Sequence, residues 1–161
     1  MIKKTKLFPL IFCLISFQVS GYTNELIAVY DSSIISSTEY ESYKKKYGAS
    51  KNFDDIVNLI INDRIFINFS NKSNIKPSIE LINQNLVALA KTNKLTIEEL
   101  IKAGNFEEIK ENITRQLKIL LVKEYILKES NQKNLASDQI IEKWLNVQKE
   151  GIYFEVIKKI N

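Results

Sequence analysis

A mainly α-helical domain closed by a small β-sheet is the fold class this sequence predicts. Three observations carry it. Apolar residues recur at helical spacing along most of the chain. Several of these runs begin at a capping residue with an acidic residue three positions on. Two β-type runs, Leu26–Tyr30 and Ile152–Ile160, sit near opposite ends, and an isolated strand leaves half its backbone groups unpaired. Residues 22–161 therefore read as one domain of about six helices, whose first and last strands meet in one sheet. A helical part covers 25–130, and a closing helix and strand cover 135–161.

The elements follow in order. Leu26–Tyr30 is the first strand, Asp31-Ser32-Ser33 is turn chemistry, and Ile34-Ile35 resumes the extended chain. Ser36 is placed to cap a short helix, with Glu39 in capping-box position and Gly48 as its stop. Asn52 caps the second helix, whose first turn holds Asp54 and Asp55 where the helix dipole favours them. Ile56, Val57, Ile60, Arg64 and Ile67 share one face of that helix, while Leu59, Phe66 and Phe69 lie on another. A helix apolar on more than one face is central, or carries a surface meant for another chain.

Pro77-Ser78 opens a third helix, from Ile79 to about Lys91, with Ile79, Ile82, Leu86 and Leu89 as its stripe. In Leu95–Leu100, Thr96 is the cap, Glu99 its box partner, and Leu95 with Leu100 a hydrophobic staple; Gly104 ends this fourth helix. Asn105, with Glu108 in the box position, starts the longest helix, Phe106 to about Lys128, along which Phe106, Ile109, Ile113, Leu117 and Leu120 keep helical spacing. After a polar connector at 131–134, Ser137 caps the last helix, with Ile140, Ile141, Trp144 and Leu145 on one face and Gly151 as its stop. From Ile152 the pattern changes to period two, and Ile152, Phe154 and Val156 alternate with Tyr153, Glu155 and Ile157.

Charge and composition exclude several classes. The chain has 23 basic and 19 acidic residues, no His, and Cys13 as its single Cys. Lys3, Lys4 and Lys6 precede the apolar run Leu7–Val19, and Val19-Ser20-Gly21 supplies small residues for cleavage. This is the pattern of a secretory signal peptide, residues 1–21, cut after Gly21 or Ser20. A retained anchor is the alternative, but the run falls short of the ~20 apolar residues a spanning helix needs, so stable membrane insertion is not expected. Removing three Lys and no acid leaves 20 basic against 19 acidic residues, a net of +1. The basic character is thus largely a targeting feature, and a nucleic-acid partner loses its electrostatic footing. The mature chain has no Cys and can inhabit an oxidising compartment without disulfides.

No catalytic constellation stands out. Without His or a mature Cys the commonest bases, nucleophiles and metal ligands are missing, and no Gly-rich phosphate loop is present. The acidic pairs Asp54/Asp55, Glu98/Glu99 and Glu107/Glu108 all fall in first helical turns, where they stabilise N-termini. Lys44-Lys45-Lys46 sits at a helix C-terminus, where cations are locally favoured. No cofactor, no metal and no enzymatic activity are expected. What remains is apolar and aromatic surface, which points to binding.

At the level of ordered motifs the run Glu25–Glu129 resembles the N-terminal domain of SurA-type periplasmic chaperones. The segments that carry the resemblance are ELIAVYDSSIISSTEYE, DIVNLIINDRIFINFSNKSNIK and LINQNLVALAKTNKLTIEELIKAGNFEEIKENITRQLKILLVKEYI. Within them, Asn93-Lys94-Leu95-Thr96 and Arg115-Gln116-Leu117 match motif positions of that family. The tail WLNVQKEGIYFEVIKKI resembles the family's C-terminal helix and strand, which return to the N-terminal domain. The sequence departs from the family in lacking parvulin-type prolyl isomerase domains; only the connector at 131–134 occupies their place.

The resemblance implies a fold like the peptide-binding domains of SurA and trigger factor. It also implies an ATP-independent periplasmic holdase for unfolded outer-membrane proteins, with no isomerase activity. Its partners would be unfolded proteins or extended, aromatic-rich peptides. Phe66, Phe69 and Tyr125 are the expected client contacts, and Trp144, Ile152, Phe154 and Val156 are expected to close the fold. The rival readings are a subunit dedicated to one folded partner, a strand-swapped homodimer, and, more distantly, a prolyl isomerase relic.

Overall fold

A computed structural model describes residues 25–31, 33–48, 50–102, 104–130 and 134–157. The expected signal peptide with Cys13, the turn residue Ser32, connector residues 131–133 and the strand residues beyond Ile157 lie outside the described residues. The elements run β1 (Leu26–Tyr30), β2 (Ser33–Ser36), α1 (Ser37–Tyr47), α2 (Phe53–Lys72), α3 (Ile79–Thr92), α4 (Ile97–Lys102), α5 (Phe106–Glu129), α6 (Ser137–Lys149) and β3 (Phe154–Val156). The fold is mainly helical with one small antiparallel sheet, as the sequence predicts.

The two ends of the domain meet in that sheet, whose order is β2-β1-β3. β1 pairs with β2 through Tyr30↔Ser33, Val29↔Ile34 and Ala28↔Ile35, with an irregularity between Leu26 and Ala28. On its other side β1 pairs with β3 through Tyr30↔Phe154, Val29↔Glu155 and Ala28↔Val156. Two backbone bonds extend this contact, from Asp31 N to Tyr153 O and from Ile157 N to Ile27 O, each 2.8 Å. On this side, ladder pairing among the described residues covers Phe154–Val156, and so begins two residues later than the expected start at Ile152. Ile152 instead belongs to the turn after α6, where its N–H bonds back to Lys149 O and Gly151 takes a φ of 79°. That left-handed conformation is costly for a residue with a Cβ and free for glycine.

The caps explain where the helices start, with three departures. Asn52 and Asp55 form a reciprocal box at α2, and Thr96 and Glu99 form one at α4. The Thr96 backbone N–H and hydroxyl hold the Glu99 carboxyl below its usual range. At α1 the box is half made: Ser36 Oγ accepts from Glu39 N at 3.3 Å, but the Glu39 carboxylate is engaged by Arg64 Nη2 at 2.6 Å. Charge wins there, because a guanidinium–carboxylate bond is stronger than one to a neutral amide. Asn105 makes no side-chain cap bond at α5. Ser137 is the first residue of α6 rather than its cap; Ala136 takes that position, and Gln139 Oε1 accepts from the Ala136 N–H at 3.2 Å.

The main core gathers Ile27, Ala28 and Tyr30 of β1, Tyr40 and Tyr43 of α1, and the C-terminal half of α5 with Val122 and Ile126 around α2. α2 is the central helix, and both of its apolar faces are used in cis: Ile56, Val57, Ile60, Ile61, Ile65 and Phe66 are all buried. A smaller cluster is built on Leu86, Ala90 and Leu100, with Ile82, Ile97, Phe106, Ile109 and Ile113 packed against it. It joins α3 and α4 to the N-terminal half of α5. α5, about 36 Å long at 1.5 Å per residue, is thus shared between two packed bodies. Two members of the expected stripes are left outside: Ile79 is 78% exposed and Leu120 is 50% exposed. Leu95, the expected staple to Leu100, is exposed as well. Among the described residues no helix is long and apolar enough to cross a membrane.

Candidate functional site: an aromatic-walled cleft between α5 and α6

The side chains singled out from the sequence fall in one region but have unequal access. α2 carries Phe66 and Phe69 one turn apart, α5 supplies Tyr125 and α6 supplies Trp144. Trp144 stacks on Phe66 with ring centroids 5.7 Å apart and planes 3° from parallel, and meets Phe69 edge-on at 5.1 Å. Phe69 in turn lies 5.9 Å from Tyr125. Offset-stacked and edge-to-face pairs are the favourable ring geometries, so the four form one continuous array.

Phe66, expected to touch clients, is only 2% exposed. Trp144 covers one face, and the Lys123 ammonium lies 5.3 Å from the ring centroid. Phe66 is therefore the floor on which the array rests rather than a contact surface. Phe69 is half-buried and props Tyr125 and Trp144. Tyr125 is 43% exposed and stands on the wall of an open cleft of about 300 Å³.

Tyr125, Ile126 and Glu129 form the α5 side of that cleft, while Ile140, Lys143, Trp144 and Val147 form the α6 side. Its charged groups are one acid and one base, and the rest of the lining is largely apolar. Sequence reasoning assigned Trp144 to closing the fold. The structure gives it that packing and a place in the cleft wall. Val147, 55% exposed, also lines the cleft, and the sequence reading does not single it out. The available signal was its helical spacing, one turn beyond Trp144. Of the other residues expected to close the fold, Ile152 and Val156 are half-buried, whereas Phe154 is exposed on the sheet edge.

A concentration of polar chemistry lies where α1 meets α2 and α5. Tyr43 Oη donates to Asp63 Oδ2 at 2.7 Å and accepts from Arg115 Nη2 at 2.6 Å, which ties α1 to α2 and α5. Burial first, and the adjacent Asp63 carboxylate second, push the Tyr43 hydroxyl far above its ordinary range. A phenol so held is a donor to Asp63 and a poor base or nucleophile at neutral pH. Nearby, Arg64 Nη2 bonds both Glu39 Oε2 and the Ile34 carbonyl at 2.6 and 2.7 Å, which fastens α2 to the β2–α1 corner. Among the described residues no group of three or more His, Cys, Asp or Glu side chains could hold a metal ion. No protein-family model matches the chain, and no curated protein matches it.

Proposed function

We propose that this protein is an ATP-independent holdase of the periplasm that binds unfolded or extended polypeptides, with outer-membrane protein precursors as its clients. The observation that carries the reading is the open cleft between α5 and α6, where Tyr125 and Val147 are exposed and the half-buried Trp144 lines the wall above Phe66 and Phe69. Apolar and aromatic surface left open beside a packed core marks a place for another apolar surface. A shallow cleft with few fixed polar groups selects for side-chain type rather than for one sequence, as a promiscuous binder requires. The ordered SurA-like motifs and the signal-peptide pattern support the cellular assignment. No step needs a nucleotide, metal or cofactor.

The test is suppression of aggregation. The purified protein, mixed in stoichiometric amounts with a urea-unfolded outer-membrane β-barrel protein on dilution, is expected to keep it soluble. Unchanged light scattering, together with capture of a single folded partner, would overturn the reading in favour of a dedicated interaction subunit. Acceleration of proline isomerisation in a short peptide would overturn the non-enzymatic assignment.

A further inference from the structure

A second groove, of about 560 Å³, opens on the other side of α5. Its floor is α5, and its walls are α1, through Ser42 and Lys46, and α3, through Asn85 and Leu89. The α1 wall belongs to the main core and the α3 wall to the smaller cluster, so the groove follows the seam between the two packed bodies.

The floor is apolar where Ile113, Leu117 and Leu120 line it, but it also carries two carboxamides, Asn112 and Gln116. Both are exposed and have no hydrogen-bond partner among the described residues. Their spacing of four places them one above the other on the same helix face, about 6 Å apart along the axis. An extended polypeptide repeats its backbone groups every two residues, about 6.6–6.8 Å. The two ladders match closely. A carboxamide offers both donors and an acceptor, so each can meet the N–H and the C=O of a passing backbone. From the opposite wall, Asn85 donates its Nδ2 to Leu81 O at 2.8 Å, which leaves its Oδ1 as an acceptor. No acidic side chain lines the groove, and Lys46 is its one charge. A neutral or mildly acidic segment complements that lining. From Ile109 to Leu120 the floor runs about 16 Å, the length of about five extended residues.

We infer that this groove holds an extended segment of about five residues by its backbone, with the apolar floor taking alternate side chains. The inference rests on the holdase reading and adds a second, backbone-reading site for the same clients. A helical segment keeps its backbone groups paired except at its ends, so it could not use both carboxamides in this way.

The sign of one substitution tests it. Asn112→Leu with Gln116→Met keeps size and adds apolar surface. A groove that worked by hydrophobic contact alone would bind more tightly. Backbone reading predicts a loss of about tenfold, the worth of two modest hydrogen bonds. The probe is a fluorescein-labelled peptide of alternating Phe and Ser, followed by anisotropy. The same peptide N-methylated at alternate residues is expected to lose a similar factor, and Asn85→Leu provides an independent variant on the other wall. Equal or tighter binding by both variants overturns the inference. So does a concentration-dependent dimer that the double substitution abolishes, because a second copy would then fill the groove. If the wild-type protein suppresses aggregation while the peptide affinities do not change, only this inference falls. If the wild type neither binds the peptide nor suppresses aggregation, the holdase reading falls with it.

Discussion

Trp144 and Tyr125 share one cleft but make opposite predictions about stability. Trp144→Ala removes a half-buried indole that stacks on Phe66 and meets Phe69 edge-on. Full truncation of a buried aromatic costs about 3–5 kcal/mol, and each aromatic pair carries about 0.5–1.5 kcal/mol of that. With part of the ring facing the cleft, the expected loss is about 3 kcal/mol, a large share of the stability of a domain this size. Tyr125 is 43% exposed and keeps one ring contact, to Phe69, so Tyr125→Ala is expected to cost under about 1 kcal/mol. Both variants should weaken aggregation suppression. The assay for stability is urea unfolding followed by far-UV circular dichroism, because Trp144 is the chain's single Trp and its removal takes the fluorescence signal with it. In the wild type that indole is a direct reporter, and its emission is expected to shift when a client fills the cleft. A loss below 1 kcal/mol for Trp144→Ala would refute the packing argument. Full chaperone activity in a folded Tyr125→Ala protein would refute the assignment of the cleft.

Three further outcomes follow from the fold. Stability should fall as pH rises above 10: the folded state holds the protons of Tyr43 and Tyr30 above their ordinary value, so the unfolded chain releases them first. Chemical denaturation between pH 8 and 11 should show this fall, and Tyr43→Phe should flatten it; a profile unchanged by the substitution contradicts the buried Tyr43–Asp63 bond. Deleting residues 151–161 should lower the melting temperature and the solubility, because it bares the β1 edge and the core beneath Ile152; an unchanged melting curve contradicts the closure. Thr96→Ala should cost about 0.5–2 kcal/mol, concentrated in α4 and visible as faster amide exchange in 97–102.

Much of the architecture was legible because it rests on local chemistry. The boxes at Asn52 and Thr96 and the left-handed glycines at 48, 104 and 151 are set by neighbours in sequence, and each marks a helix end where expected. The closing of the chain on itself was legible by elimination, since β3 has little but β1 to pair with. Two misses are local, the unmade cap bond of Asn105 and the shift of the α6 cap from Ser137 to Ala136, and the rest are tertiary. Glu39 leaves its capping box for Arg64, which lies 25 residues away. Phe66 sits on an apolar face that reads as surface until Trp144 arrives to cover it. Helical spacing could not separate Phe66 from Tyr125, because periodicity says which residues share a face and not what that face meets. The α1–α3–α5 groove was illegible for the same reason: Asn112 and Gln116 look like solvated positions on any helix until a second wall stands opposite them.

The division of α5 between two bodies explains why both clefts lie along it. Its N-terminal half turns Phe106, Ile109 and Ile113 toward α3 and α4, while its C-terminal half turns Ile119, Val122 and Ile126 toward α2. A helix that changes partners midway cannot bury all of its apolar stripe in either core. Leu120 falls at the changeover and stays half exposed. Tyr125 falls beyond the reach of the smaller cluster, where Phe69 of α2 and the single layer of α6 stand opposite. Apolar surface left open in this way is a cost in a protein that works alone, because it invites association. Its persistence at two places on one helix, each backed by well-packed side chains, is what a surface kept for other chains requires. Placing a charge at the changeover should therefore separate stability from function. Leu120→Lys removes exposed apolar area at little expense to the core, and is expected to leave the melting temperature within about 2 °C while lowering affinity for the Phe/Ser peptide. A fall in stability without a fall in affinity would show that Leu120 serves the fold, and the argument from the divided helix would fail.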